Sequence, residues 1–237
     1  MARYARYMAL ILPKSVFIHA PKTGGSWVRE ALQRTELPIK EARHRYHVTE
    51  LIPATPYCCK HSMLCNVSDE DRSGRISFAF VRHPLSLYQS WWSFKMRSGW
   101  NDVSPFESKC KSETFSGFLE NVLTHFPGWA GSIFNQIEED GIQTFGRQEN
   151  LVEDLIGILK IAGEEFDPEV IRSTPPQNVS GQLEEWRTLA QYTPELKKAI
   201  LDSEQETLER FGYGTDINEV IGSHITCGVA TEESVIA

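Results

Sequence analysis

The sequence predicts an α/β protein in which a parallel β-sheet is covered by helices on both faces. Two segments predict this fold, at residues 15–32 and 76–92, and each combines a short apolar run, a loop and a stretch with helical spacing. Strand–loop–helix units of this kind build parallel sheets. The chain has 237 residues, which suits a single domain with a sizeable core.

The first segment has the layout of a phosphate-binding loop. Val16–Ile18 is an apolar run typical of a buried strand, and residues 27–32 have helical spacing. Between them lies the sequence Pro-Lys-Thr-Gly-Gly-Ser, at Pro21–Ser26. The N–H groups of the first helical turn and the positive end of the helix dipole would point into this loop. Gly24 and Gly25 let the backbone approach an anion closely, and Lys22 adds a cation.

The order of residues in this loop disfavours ATP and GTP. The common nucleoside-triphosphate loop reads GxxxxGK[ST], with its lysine after the second glycine. Here Lys22 precedes the glycine pair, and the chain contains no GK[ST] sequence. The alternative is a glycine-rich turn between a strand and a helix that binds no ligand.

The second segment repeats the layout. Ile76–Val81 is almost entirely apolar, which is typical of a strand buried on both faces. Arg82 follows at its carboxyl end, and Pro84 suits the first position of a helix. Ser90 lies on the same side of that helix as Ser86, one turn away, so Arg82 and Ser90 can converge on a phosphate. The alternative is an arginine that ends the strand and a serine on a solvated helix face.

The two segments together predict one extended ligand site. In open α/β sheets, ligands bind beyond the carboxyl ends of the parallel strands. Both candidate phosphate sites would lie at that edge. A ligand with two separated phosphate-like groups would therefore fit both at once.

These motifs resemble those of the sulfotransferases that use 3′-phosphoadenosine 5′-phosphosulfate (PAPS). Residues 21–27 resemble the family's 5′-phosphosulfate loop, and Arg82 with Ser90 resembles its 3′-phosphate site. Residues 145–155 and 176–213 are similar to the bacterial branch, so the resemblance covers roughly residues 15–213. The chain lacks the late Arg/Lys–Gly-rich segment with which cytosolic eukaryotic members clamp the 3′-phosphate.

The resemblance implies a P-loop-like fold and in-line transfer of a sulfuryl group from PAPS to a hydroxyl or amine, without a metal. Lys22 would stabilise the leaving phosphate. Lys60 and His61 resemble the family's catalytic segment, in which the histidine takes the acceptor proton and the lysine steadies the sulfuryl group. His47 is the second candidate for the base. The residues expected to bind the nucleotide are Pro21, Lys22, Thr23, Gly24, Gly25, Ser26, Trp27, Arg82, Ser90, Arg147, Asn178 and Ser180.

Two of these residues have a structural alternative. Family members stack an aromatic side chain on the adenine at the position of Trp27, but a tryptophan there can equally pack in the core. Arg147 follows a predicted strand and can reach the nucleotide or the acceptor. It can equally form an ion pair with Glu149 or Glu153.

Charge and cysteine content narrow the class of partner. The net charge is −8, which argues against a nucleic-acid-binding protein. Residues 8–12 are apolar but too few to span a membrane, so we expect a cytoplasmic protein. The odd number of cysteines, five, predicts free thiols. The sequence has no paired CxxC motifs, so we expect no metal site. The acceptor would be a small molecule or a glycan.

Two other functions stay open, namely a kinase-like P-loop phosphotransferase and an inactive protein that binds 3′-phosphoadenosine 5′-phosphate (PAP). An inactive binder would need Arg82 and Ser90 but neither Lys22 nor His61, and the presence of all four favours an enzyme. We expect residues 1–222 to form the α/β domain and residues 223–237 to form a flexible tail.

Overall fold

The computed structural model describes residues 9–42, 64–177, 184–216 and 226–227. A mixed β-sheet lies at the centre of this part of the chain. Its strands are β1 (Leu10–Ile11), β2 (Ser15–Phe17), β3 (Lys40–Glu41), β4 (Ile76–Val81), β5 (Thr144–Arg147) and β6 (Thr226–Cys227). They are arranged in the order β3-β1-β2-β4-β5-β6.

The three central strands, β2, β4 and β5, are parallel, and the strands on either side of them are antiparallel to their neighbours. β1 and β2 form a hairpin closed by a 2.8 Å hydrogen bond from the Leu12 N–H to the Ser15 carbonyl. So short a turn can join only antiparallel strands. The predicted α/β class is confirmed, whereas the prediction of a wholly parallel sheet is wrong.

Eleven α-helices and two short 3₁₀ helices, at Leu64–Asn66 and Gln148–Asn150, occur in the described residues. None of these helices is long and apolar enough to cross a membrane. The α-helices are α1 (Gly25–Arg34), α2 (Asp69–Arg72), α3 (Pro84–Ser98), α4 (Pro105–Cys110), α5 (Phe115–His125), α6 (Trp129–Glu139), α7 (Leu151–Ala162), α8 (Pro168–Arg172), α9 (Glu184–Leu189), α10 (Pro194–Ser203) and α11 (Gln205–Phe211).

Helices cover both faces of the sheet, as predicted. Successive strand residues point to opposite faces, so β4 contributes to two cores. Ala79 and Val81 pack with α3 to α6, α10 and α11. Phe78 and Phe80 pack with α1, α7 and α8 on the other face.

The segment predicted as a C-terminal tail contributes to the sheet. Thr226 lies opposite Phe145, and Cys227 lies opposite Thr144, in antiparallel pairing with β5. Within the described residues, Thr226–Cys227 therefore form an edge strand rather than a tail.

A buried carboxylate anchors α3, the helix that follows β4. Glu204 is 1% exposed and accepts hydrogen bonds from the Tyr88 hydroxyl on α3 and from the N–H groups of Ala130 and Gly131 on α6. Burial raises the pKa of Glu204, although these hydrogen bonds act in the opposite direction. Glu204 lies between α10 and α11, so its hydrogen bonds join α3 and α6 to these two helices.

Replacing Glu204 should therefore test how the fold holds α3. We expect Glu204→Ala to lower the free energy of unfolding by about 3 kcal/mol, because buried N–H and hydroxyl groups lose their acceptor. Glu204→Gln keeps one acceptor oxygen and replaces the other with an NH2 group, so it should cost less than Glu204→Ala while still losing some of the hydrogen bonds. Urea unfolding of both variants measures the difference, and equal losses would show that the carboxylate's hydrogen bonds are not what stabilises this junction.

Candidate phosphate-binding site

The carboxyl ends of the parallel strands bring three segments together. Residues 19–26 follow β2, Arg82 and His83 follow β4, and the 3₁₀ helix Gln148–Asn150 follows β5. The Arg82 guanidinium Nη1 donates a 3.0 Å hydrogen bond to the Lys22 carbonyl, which joins the first two segments. The His83 N–H donates a 2.9 Å hydrogen bond to Glu149 Oε1, which joins the second to the third.

The backbone of the loop has an unusual conformation at Lys22. Its φ of 63° lies in the left-handed region. Among the described residues other than glycine, only Lys22 has a positive φ. That conformation costs a residue with a side chain roughly 1–2 kcal/mol. Strain of this kind at a loop that precedes a helix is a reason to look for a function there.

Two contacts shape the rest of the loop. The Thr23 hydroxyl is buried and donates a 3.0 Å hydrogen bond to the Ala20 carbonyl. The His19 ring lies over Gly25, where an added Cβ would come within 2.1 Å of it. α1 begins at Gly25, and among the described residues no side chain caps its first N–H groups. The loop therefore presents an uncapped helix N-terminus, the part of a helix that attracts anions.

The side chains of Lys22 and Arg82 both contact α3, but at different turns of the helix. Arg82 Nε donates a 2.8 Å hydrogen bond to the Ser86 hydroxyl. The Lys22 ammonium lies 4.2 Å from the centroid of the Phe94 ring. Ser86, Ser90 and Phe94 follow one another at four-residue intervals on one side of α3. Ser90, which is half-buried, therefore lies between the turn that holds Arg82 and the turn that holds Lys22.

The Arg82 guanidinium donates to Ser86, a hydroxyl that the sequence did not assign to the site. The prediction that Arg82 and Ser90 converge on one phosphate stays a prediction. Arg82 lies only two residues before α3, so its Nε reaches the first turn of the helix. Ser90 lies one turn further on.

Glu149 organises the three segments and was not expected to do so. It accepts hydrogen bonds from the His83 N–H and the Tyr213 hydroxyl, and it lies 3.3 Å from the Ser86 hydroxyl. The Ser86 hydroxyl also lies 3.1 Å from the His83 carbonyl, so His83 and Glu149 together position the hydroxyl that accepts from Arg82. Glu149 belongs to the stretch at residues 145–155 that resembles the bacterial branch, which is the one sequence signal that pointed to it.

His83 is fully buried and neutral at the start of α3. Its Nδ1 accepts a hydrogen bond from the Leu85 N–H, so the proton lies on Nε2, which donates to the Gly214 carbonyl at 3.2 Å. Burial lowers the pKa of His83, and this effect exceeds the opposite effects of the Gly214 carbonyl and Glu149.

The position of His83 predicts a loss of stability in acid. The unfolded chain takes up a proton near the ordinary pKa of 6.5, and the folded protein resists it, so stability falls as the pH drops below that value. Asn can cap the helix without titrating. We expect the melting temperature of the wild type to fall more between about pH 7.5 and 5 than that of His83→Asn. Parallel pH profiles for the two proteins would refute a neutral histidine here.

Arg147 and Trp27 have structural contacts. Arg147 is 2% exposed, and its Nε donates a 2.8 Å hydrogen bond to the Phe211 carbonyl at the end of α11. Its Nη1 has no hydrogen-bond partner among the described residues. Trp27 lies in the core on the α1 face and donates to the Thr174 carbonyl. These contacts favour the core interpretation of Trp27.

The ion pairs considered for Arg147 do not form with Glu149 or Glu153. Glu149 takes part in the network around His83, and Glu153 pairs with Arg172 at 2.9 Å. Arg147 instead places its positive charge at the negative end of α11, where it is favourable.

Several predicted site residues lie outside the described residues. They are the candidate bases His61 and His47, the neighbouring Lys60, and the two candidate nucleotide contacts Asn178 and Ser180. Within the residues that the structure describes, no group of three or more His, Cys, Asp or Glu side chains is arranged to hold a metal ion. Cys65 lies at the surface. Loss of solvent around its thiol and a hydrogen bond to Asp140 raise the pKa of Cys65 to about 11.

The comparisons with known proteins give no family. No family model matches the chain, and neither a curated protein nor a solved structure matches it. The function must therefore be inferred from the residues at this edge of the sheet.

Proposed function

We propose that this protein is a sulfotransferase that uses PAPS, with a P-loop-like arrangement of β2, the loop and α1. One observation carries the proposal. The hydrogen bond from Arg82 to the Lys22 carbonyl brings the two motifs that resemble the 5′-phosphosulfate loop and the 3′-phosphate site to the same edge of the sheet.

The groups around this edge suit a nucleotide with two separated phosphates. The loop contributes the uncapped N-terminus of α1 and the Lys22 ammonium. Arg82 contributes a second cation, and Ser90 lies between the two contact points on α3. The turns at Ser86 and Phe94 are about 12 Å apart along the axis of a helix.

The loop is less suited to a triphosphate with Mg²⁺. In the common triphosphate loop, the hydroxyl after the lysine binds the metal. Here the residue after Lys22 is Thr23, which is 1% exposed and donates its hydroxyl proton to Ala20. No residue from 19 to 26 carries a carboxylate. These observations favour a bisphosphate over ATP.

The described residues can stabilise the charge that develops in such a reaction. PAPS supplies the sulfuryl group and leaves as PAP. The Lys22 ammonium and the first N–H groups of α1 would bind the phosphate on which negative charge grows, where fixed donors are most effective. Arg82 and Ser90 would hold the other phosphate and so fix the nucleotide's orientation. The sequence assigns the proton transfer from the acceptor to His61, with His47 as the alternative.

Binding of PAP tests the proposal directly. We expect PAP to raise the melting temperature and to bind in the presence of EDTA, whereas ATP should not. Lys22→Ala and Arg82→Lys should each weaken PAP binding roughly ten- to hundredfold, because each loses a charged hydrogen bond worth about 1.5–3 kcal/mol. Isothermal titration calorimetry measures the affinities.

Lys160→Ala is the matched control for these variants, since it removes an exposed lysine on α7, at the other end of that helix from the loop. Metal-dependent binding of ATP without binding of PAP would support the kinase alternative instead. Undiminished PAP binding by both site variants would place the nucleotide elsewhere.

Variants of the two serines on α3 should distinguish a side chain that binds the nucleotide from one that supports Arg82. Ser90→Ala is expected to weaken PAP about three- to tenfold through the loss of one hydrogen bond, with little change in melting temperature. Ser86→Ala removes the acceptor of Arg82 Nε and should lower the melting temperature as well. Calorimetry and thermal melting of both variants check this, and it is contradicted if Ser90→Ala leaves the affinity for PAP unchanged.

A further inference from the structure

The contact between Lys22 and Phe94 joins the loop to the C-terminal half of α3, and the proposed function assigns no role to the Phe94 ring itself. The Lys22 ammonium lies 4.2 Å from the ring centroid, a distance at which a cation is attracted to the face of an aromatic ring. Lys95 and Arg97 lie further from the same centroid, at 5.5 and 5.9 Å. Of these three cations in the described part of the chain, Lys22 is the nearest to the ring, and it comes from the loop after β2 rather than from α3.

The other two cations have separate roles. Lys95 is buried and forms a 2.6 Å ion pair with Glu107, which ties α3 to α4. Arg97 is exposed in the last turn of α3. Among the described cations near this ring, Lys22 is the one that connects Phe94 to the candidate phosphate-binding site.

A lysine side chain needs support if its charge is to stay in one place. Its four-carbon stem is flexible, and ordering it costs conformational entropy. The ring of Phe94 is half-buried on a fifteen-residue helix, so its own position is fixed. An ammonium group has three N–H donors, which allows it to face the ring on one side and a phosphate on another.

We infer that Phe94 is a positioning residue that holds the Lys22 ammonium at a fixed distance from Arg82. Phe94 supports one cation, and Ser86, two turns earlier on the same side of α3, supports the other. The helix thereby sets the spacing between the groups that bind the two phosphates. This inference rests on the proposed function, and it makes α3 the element that selects ligands whose phosphates are separated by a nucleoside.

The test compares Phe94→Leu, which keeps an apolar side chain without a ring, with Phe94→Tyr, which keeps the aromatic face. Calorimetry with PAP, 5′-AMP and 3′-AMP separates the two ends of the site. We expect Phe94→Leu to weaken PAP and 5′-AMP about three- to tenfold and to leave 3′-AMP unchanged, while Phe94→Tyr binds all three like the wild type. Loss of a purely structural residue would weaken all three ligands alike.

Chemical labelling provides a second measurement that needs no nucleotide. The ring of Phe94 covers one side of the Lys22 ammonium, so it limits the approach of an acylating reagent to that group. At limiting N-hydroxysuccinimide acetate, Phe94→Leu should therefore raise the labelling of Lys22 relative to Lys160 about threefold or more, as measured by mass spectrometry.

The possible results distinguish this inference from the proposed function. Unchanged or tighter binding of 5′-AMP by Phe94→Leu overturns the positioning role, since tighter binding would mean that the ring competes with the ligand for Lys22. If the wild type binds no PAP, the proposed function fails. In that case unchanged labelling of Lys22 overturns the role of Phe94 as well, whereas increased labelling retains it.

Discussion

The hydrogen bond from Arg82 to the Lys22 carbonyl is the interaction on which the candidate site depends. Lys22 adopts a left-handed conformation that costs roughly 1–2 kcal/mol. A hydrogen bond from a charged donor contributes about 1.5–3 kcal/mol, so this single contact is large enough to offset the strain. The same bond joins the loop after β2 to the start of α3. The conformation of the loop and the position of its lysine are therefore maintained by the residue that would bind the second phosphate.

Arg82 in turn is held by groups that do not contact the loop. Ser86 accepts from its Nε, and Glu149 lies beside Ser86 while accepting from His83 and Tyr213. These contacts connect β4, β5 and the end of α11 around one guanidinium. A carboxylate this close to a phosphate site would repel a ligand if its charge were unbalanced. Here Glu149 accepts from the His83 N–H and the Tyr213 hydroxyl and lies beside Ser86, so we expect it to help orient Arg82 through that serine.

The sequence predicted the elements whose signals are local. Apolar runs predicted β2 and β4. Caps are local signals too: Thr193 caps α10 and Pro194 is its first residue, while Ser104 caps α4 and Pro105 is its first residue. For α4 this signal stands nearly alone. Only six residues of helix follow, too few for a hydrophobic period to show. β1 and β3 are two residues each and exist because they pair with neighbours, which the sequence does not reveal. The contact of Lys22 with Phe94 joins positions far apart in the chain and has no local signal at all.

The charge of the whole protein explains why the spacing of a few groups matters so much. A chain with a net charge of −8 does not attract an anionic nucleotide at long range. At physiological ionic strength, charges are screened beyond about 8 Å, so that repulsion is weak at the site itself. Affinity must then come from groups in direct contact with the phosphates. Moving a cation when the ligand binds would cost part of the binding free energy. Lys22 and Arg82 therefore contribute most if their cations already lie at the separation that the ligand requires. In the proposed site, α3 would set that separation, because Ser86 and Phe94 both lie on this one helix.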